Sequence, residues 1–240
     1  MSLLSKFRVG SDRHHVASRG IGSSRVAAGT ARSEPARPPA NARPSNGLKD
    51  FLWHLDGIQH GCLLDLGPVW QSTVSFFIER GFKVYTEDLL DAWRAFLHLE
   101  EEKLRVLPPG EEAVDMSPSA RAERFLRGSL QYPRDTFDAV LAWDLLDYLD
   151  ADLVARLVTR LTDLIKQGGA VLALFHSRKP EAFQRYRVLN AQNLEFLPAP
   201  AFFQVRRILQ NREIQNLFNG FHSSKTFVGR DQLREGLFIK

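Results

Sequence analysis

The sequence predicts a three-layer α/β sandwich, with a mostly parallel central sheet ending in an antiparallel hairpin. Short apolar runs such as "CLLDL" (62–66), "FDAVLAW" (137–143) and "AVLALFH" (170–176) fit strands buried on both faces. Between them lie stretches whose apolar residues recur at 3/4 spacing, the helical period. At the end, "SSKTFVGRD" (223–231) and "REGLFIK" (234–240) read as two strands joined by a short turn. Alternating β and α followed by a closing hairpin gives that architecture.

Taken in order, "NGLKDFLWHLDGIQHG" (46–61) places Leu48, Phe51, Leu52, Leu55 and Ile58 on one face of a helix ending near Gly61. After the first apolar run, Ser72 or Thr73 can cap a helix to about Arg80, with Val74, Phe77 and Ile78 inward and Gly81 as its stop. "FKVYTE" (82–87) is the second strand, so the opening is a right-handed βαβ unit. "LDAWRAFLHLEEEKLRVL" (90–107) is helical, and "PPGEEAVDMSPS" (108–119) is a long polar loop, a lid or an insertion. A third strand is expected around "ERFLRG" (123–128). In "DADLVARLVTRLTDLIKQGG" (150–169), Leu153, Leu157, Leu161 and Leu164 line a helix that Gly168-Gly169 ends. The segment 181–220 is read as mostly helical, most clearly in "QNREIQNLFNG" (210–220).

The 240 residues, 44% hydrophobic, suffice for one sizeable core. No apolar run approaches the roughly 20 residues of a membrane span, so a soluble, cytoplasmic protein is expected. The single cysteine, Cys62, excludes an internal disulfide and a cysteine metal cluster, and its setting favours a small buried hydrophobe. The net charge of +4 hides an uneven distribution: residues 1–46 carry +6 and the rest −2. Residues 1–46 are rich in Ser, Arg, Ala, Gly and Pro and are read as a disordered basic tail. That composition also suits an organelle transit peptide or a solvated arm for acidic partners. Residues 47–240 form the expected single domain, and its near-neutral charge gives no indication of a nucleic-acid surface.

From 47 to 240 the order of elements and several motifs resemble the class I S-adenosylmethionine-dependent methyltransferases, whose fold is Rossmann-like. "LLDLG" (63–67) looks like that family's first motif, and "ERGFKVYTEDLL" (79–90) like its second strand with the acid that grips ribose. "FDAVLAWDLLDYL" (137–149) resembles its fourth strand and following loop. "LIKQGGAVLAL" (164–174) resembles the entry to its fifth, with Gln167 where proline is usual. The resemblance implies S-adenosylmethionine as cofactor, a small-molecule methyl acceptor and no metal. It implies cofactor contacts from Asp65, Gly67, Pro68, Asp88 or its neighbour Glu87, Gln131 or Ser129, Trp143 and Asp144. In an open α/β sheet these strand ends are where ligands settle. The alternative reading of Asp88 and Glu87 is as solvated acids capping the next helix.

The glycine turn departs from the family pattern, because "GPVWQS" (67–72) has Val69 and Gln71 where further glycines would fall. Glycines there permit positive φ and close approach of the backbone to a ligand. Trp70 either fills the core or stacks near the cofactor, and Trp143 either packs in the core or faces the sulfonium. Should the acceptor have to lose a proton, Asp144, Asp147, Tyr148 and His176 are the candidate bases. No G-x-S-x-G, P-loop, H-E-x-x-H or cysteine-rich zinc pattern is present. A nicotinamide dehydrogenase would want G-x-G-x-x-G, which is absent. The altered glycine turn keeps open a non-catalytic reading, a methyltransferase-like scaffold for partner binding.

Overall fold

The computed structural model describes residues 39–106, 114–229 and 231–240. The basic tail and the middle of the 108–119 loop, as expectations, lie largely outside these. The elements are β1 (Ala42–Pro44), α1 (Asn46–His54), β2 (Cys62–Asp65), α2 (Gln71–Ile78), β3 (Lys83–Thr86), α3 (Leu89–Arg105), α4 (Pro118–Gly128), β4 (Phe137–Trp143), a 3-10 turn (Leu145–Asp147), α5 (Ala151–Leu164), β5 (Ile165–His176), β6 (Gln184–Asn190), β7 (Asn193–Pro198), α6 (Asn211–Leu217), β8 (Ser223–Val228) and β9 (Leu233–Ile239).

Six strands form the central sheet in the order β3-β2-β4-β5-β9-β8. The first four are parallel, β9 runs antiparallel to β5, and β8 antiparallel to β9. β2, β4, β5 and β9 are buried on both faces because their alternate residues feed two separate cores, while the edge strands β3 and β8 are partly exposed. Leu63, Ala139, Leu141, Leu172 and Leu174 pack toward Leu48 and Phe51 of α1 and Phe77 of α2. Leu64, Val140, Ala142, Val171 and Ala173 pack toward α3, α4 and α5, including Trp93, Phe125 and Leu157. This is the expected three-layer α/β sandwich, with a mostly parallel sheet closed by an antiparallel hairpin, and among the described residues the expected third strand is absent.

The missing strand is the third. "ERFLRG" lies in α4, where Ala122 and Phe125 are buried one helical turn apart. Ser117 caps the start, its Oγ accepting from the Ala120 N–H at 3.3 Å, and Pro118 follows where its missing N–H is harmless. Gly168-Gly169 does not end α5, which stops at Leu164, but lies within β5, with Gly168 at φ +78° where the chain kinks. α1 likewise stops at His54, short of Gly61, and α2 is capped from Trp70 with no side-chain bond rather than from Ser72 or Thr73.

The segment 181–220 differs most. It is not mostly helical: β6 and β7 form an antiparallel hairpin, and only α6 is helix. β1 adds to β7 to make a second, three-stranded sheet. Among the described residues, regular structure thus includes Ala42–Pro44, ahead of position 47. Arg43 holds it there, its guanidinium lying 2.7 Å from buried Glu235 on β9 and 2.8 Å from Asp231. Glu235 also accepts from the Ser45 hydroxyl at 2.8 Å and from the Gly47 N–H, so its charge is fully surrounded by donors. A Cβ on Gly47 would come within 2.6 Å of that carboxylate, which is why α1 carries glycine there.

Candidate active site

The carboxyl ends of β2, β3 and β4 bring together most of the residues singled out in the sequence. Asp65 ends β2 and is fully buried. Its Oδ1 accepts from the Gly67 N–H at 3.0 Å and from the Trp143 indole N–H at 2.6 Å, while its Oδ2 is buried without a partner. Burial pushes its pKa up to about 6, the Trp143 and Gly67 hydrogen bonds opposing. Trp143 reaches Asp65 because it leaves β4 at φ +48°, a left-handed conformation uncommon outside glycine. That turn lays its indole against Gly67, where a Cβ would sit 2.6 Å from the ring nitrogen. Gly67 is indeed needed for a close approach, but to Trp143.

Beyond β3, Glu87 accepts from the Leu130 N–H at 3.2 Å through Oε1, and its Oε2 is buried without a partner. Burial raises its pKa, the Leu130 bond opposing. Asp88 caps α3: its Oδ1 accepts from the Asp91 N–H at 3.2 Å. Its Oδ2 lies 3.2 Å from Arg185 of β6. Gln131 is exposed and donates to Leu126 and Ser129 carbonyls of its own loop, so it contributes nothing to this crevice. Trp70 is half-buried beneath the Arg187 guanidinium, which lies 5.6 Å from the ring centre.

At the ends of β4 and β5 lies a buried cluster of Asp144, Asp147, Tyr148 and His176. Asp147 Oδ2 accepts from the His176 backbone N–H at 2.7 Å and faces its Nδ1 at 2.9 Å. A carboxylate only accepts, so Nδ1 carries a proton, and in the neutral ring Nε2 is the acceptor. Nε2 stands 3.8 Å from Asp144 Oδ2, itself buried and without a hydrogen-bond partner. Burial pushes Asp144 up to about 7, His176 opposing and Asp147 adding to the rise. Burial alone would lower His176, but the Asp147 hydrogen bond and the two carboxylate charges outweigh it and raise its pKa. Tyr148 is raised by burial and by the same two charges.

The residues that sequence reasoning missed come from the hairpin. Arg185 takes Asp88, and Tyr186 stacks on Trp143 with ring centres 6.3 Å apart and planes 12° from parallel. The Val188 N–H donates to the Thr73 hydroxyl at 3.0 Å and ties β6 to α2. What remains of the crevice, between Gly67, Pro68, Leu90, Asp144, Arg185 and Tyr186, is about 10 Å³, room for about one water molecule. S-adenosylmethionine does not fit it as it stands. The row of acids suits the cofactor's donors, but Arg185, Tyr186 and Trp143 take the space. On the far side of Tyr186 opens a second, larger cavity of about 330 Å³, bounded by His176, Arg43, the 178–182 loop and Asp231–Leu233.

No family model and no curated protein matches the chain. Solved structures do resemble it, faintly. A Burkholderia thailandensis 1,6-didemethyltoxoflavin-N1-methyltransferase, bound to its substrate and S-adenosylhomocysteine, is 16% identical with a TM-score of 0.42, covering 81% of this chain and 76% of that one. A Methanosarcina mazei S-adenosylmethionine-dependent methyltransferase is 14% identical with a TM-score of 0.43, over 78% of this chain and 94% of that one. One from Mesorhizobium loti is 13% identical with a TM-score of 0.42, over 80% and 96%. At that distance the likeness carries no argument about function, and what the structure itself shows is the sheet order, the closing hairpin and the acids at the strand ends.

Proposed function

We propose that the chain is an S-adenosylmethionine-dependent methyltransferase whose cofactor crevice is held closed by its own β6–β7 hairpin and is entered when that hairpin lifts. The observation that carries this reading is the set of unpartnered carboxylate oxygens: Asp65 Oδ2, Glu87 Oε2 and Asp144 Oδ2, all buried at the ends of adjacent strands. A buried acceptor without a donor is costly, and several together mark a place where water, a nearby hydroxyl such as that of Tyr148, or a ligand supplies the donors. Asp88 would accept ribose hydroxyls once Arg185 departs, and Asp65 and Asp144 would face the groups on either side. The acceptor is read as a small molecule entering beside His176.

Calorimetric titration of the full chain with S-adenosylmethionine and with S-adenosylhomocysteine tests the proposal. Binding of both, weakened more than about tenfold in Asp88→Ala, supports it. No heat and no rise in melting temperature at millimolar ligand would sink it and leave a scaffold of methyltransferase shape.

A further inference from the structure

The 330 Å³ cavity beyond Tyr186 lies within the size range of small-molecule sites. Its floor is His176, 92% buried, with Nε2 free of any hydrogen bond and Nδ1 held by Asp147. One wall is the hairpin, through Gln184, Tyr186 and Phe196; another is Asp231, Gln232 and Leu233. Arg43, 94% buried, also lines it, and its Nη1 has no hydrogen-bond partner. At the rim stand Arg178 and Lys179, both exposed, and among the described residues neither forms an ion pair. The carboxylates of the lining are Asp231, paired with Arg43, and Glu181 at the rim. Two unpaired cations and one buried, unsatisfied guanidinium nitrogen outweigh the single unpaired acid.

Tyr186 lines both cavities and so stands between this space and the cofactor crevice. The Asp144 carboxylate marks the same boundary at the strand ends, 3.8 Å from His176.

From this we infer that the cavity beyond Tyr186 is the acceptor site and that it takes a small organic anion, a carboxylate or phosphate. The anionic group seats against Arg178, Lys179 and Arg43, and the nucleophilic end points to His176. The identification as an acceptor site rests on the methyltransferase reading; the anion site itself does not. A proton leaving an acceptor hydroxyl goes to His176 Nε2, with Nδ1 keeping its own proton on Asp147. A guanidinium and an ammonium together recognise a carboxylate or phosphate by charge-assisted hydrogen bonds.

The test uses the full chain and three probes in calorimetry: 4-hydroxybenzoate, inorganic phosphate and the neutral isostere 4-hydroxybenzamide. At least one anion should bind, about tenfold more tightly than the amide, and the Arg178→Ala/Lys179→Ala double variant should lose that margin. Phosphate binding alone would assign the anionic group as a phosphate. Equal affinity for 4-hydroxybenzoate and its amide with no phosphate binding, an unaffected double variant, or no binding of either anion below about 10 mM, would each overturn the inference. A parallel titration with S-adenosylhomocysteine separates the two claims. Anion binding without cofactor binding leaves the anion site standing and removes the methyl-transfer reading. Cofactor binding without anion binding does the reverse.

Discussion

In the proposed site Arg185 and the cofactor would compete for the same carboxylate, so removing Arg185 should tighten cofactor binding. Its guanidinium lies 3.2 Å from Asp88 Oδ2, with 12% and 24% of the two side chains exposed. A pair sheltered to that degree contributes about 1 kcal/mol or slightly more, above a fully exposed pair. The other closing contacts, Tyr186 on Trp143 and Val188 on Thr73, survive the change. Apparent affinity for a ligand that binds only the open state scales with the open fraction. Destabilising a dominant closed state by about 1–1.4 kcal/mol therefore raises the affinity about five- to tenfold. Asp88→Ala breaks the same ion pair but also removes the proposed ribose acceptor, so it should move affinity the opposite way. The assay is titration of S-adenosylhomocysteine into wild type and both variants at low and at about 0.5 M salt, where screening should shrink the Arg185→Ala gain. Arg185→Ala binding equal to or weaker than wild type would refute the gate, because loss of a competitor cannot cost affinity.

Other perturbations test the frame around that gate. Asp65 holds its proton longer in the fold than in the unfolded chain, since burial lifts it from 3.8 to about 6. Its contribution is thus complete below about pH 4 and is lost as pH rises through 6, about 3 kcal/mol in all. Asp65→Asn, whose oxygen still accepts from Trp143 and Gly67, should gain on wild type in urea melts between pH 4 and 7; a constant difference across that window would mean that Asp65 titrates normally. Arg43→Ala strips the cation from buried Glu235 and should cost about 3–5 kcal/mol in the same melts, with Glu235→Gln/Arg43→Ala recovering part of it. Leu157→Ala empties a fully buried position on α5 and should cost about 2–5 kcal/mol; a loss under about 1 would show that α5 is loosely packed.

The parts of the fold legible in the sequence are those whose pattern is set locally and strongly. The runs at 62–66, 137–143 and 170–176 became β2, β4 and β5, and α5 buries Leu153, Leu157, Leu161 and Leu164 as its spacing requires. The third-strand expectation failed because "ERFLRG" offers only Phe125 and Leu126, too few apolar residues to separate a short strand from a turn of helix. Ser117-Pro118, a helix start, and the Ala122–Phe125 spacing were the evidence that decided it. In the hairpin, "RYRVLN" does alternate, with Tyr186 and Val188 buried between Arg185, Arg187 and Leu189, and Asn190 accepts from the Gln192 N–H at the turn. That period of two was present but short, and a helical reading of the surrounding segment covered it.

What no local pattern contains is the partner of a charge. Asp65, Asp88 and Asp144 were identified because a strand end is a place a topology fixes, and each stands at that place. Arg185 lies 97 residues from Asp88, and Arg43 lies 192 from Glu235; neither distance leaves a trace in composition. Yet these two arginines decide how the acids behave. Arg185 turns Asp88 from a waiting acceptor into an occupied one. Arg43 anchors β1, which carries β7 and with it β6, to the main sheet through β9. The closure of the crevice thus depends on a second sheet pinned by Arg43 on Glu235 and latched over the crevice by Arg185 on Asp88, Tyr186 on Trp143 and Val188 on Thr73. Weakening the latch should open the crevice while the pin keeps the hairpin folded, and losing the pin should cost stability before it changes affinity. That ordering distinguishes a gate from a structural plug, in which both arginines would act on stability alone.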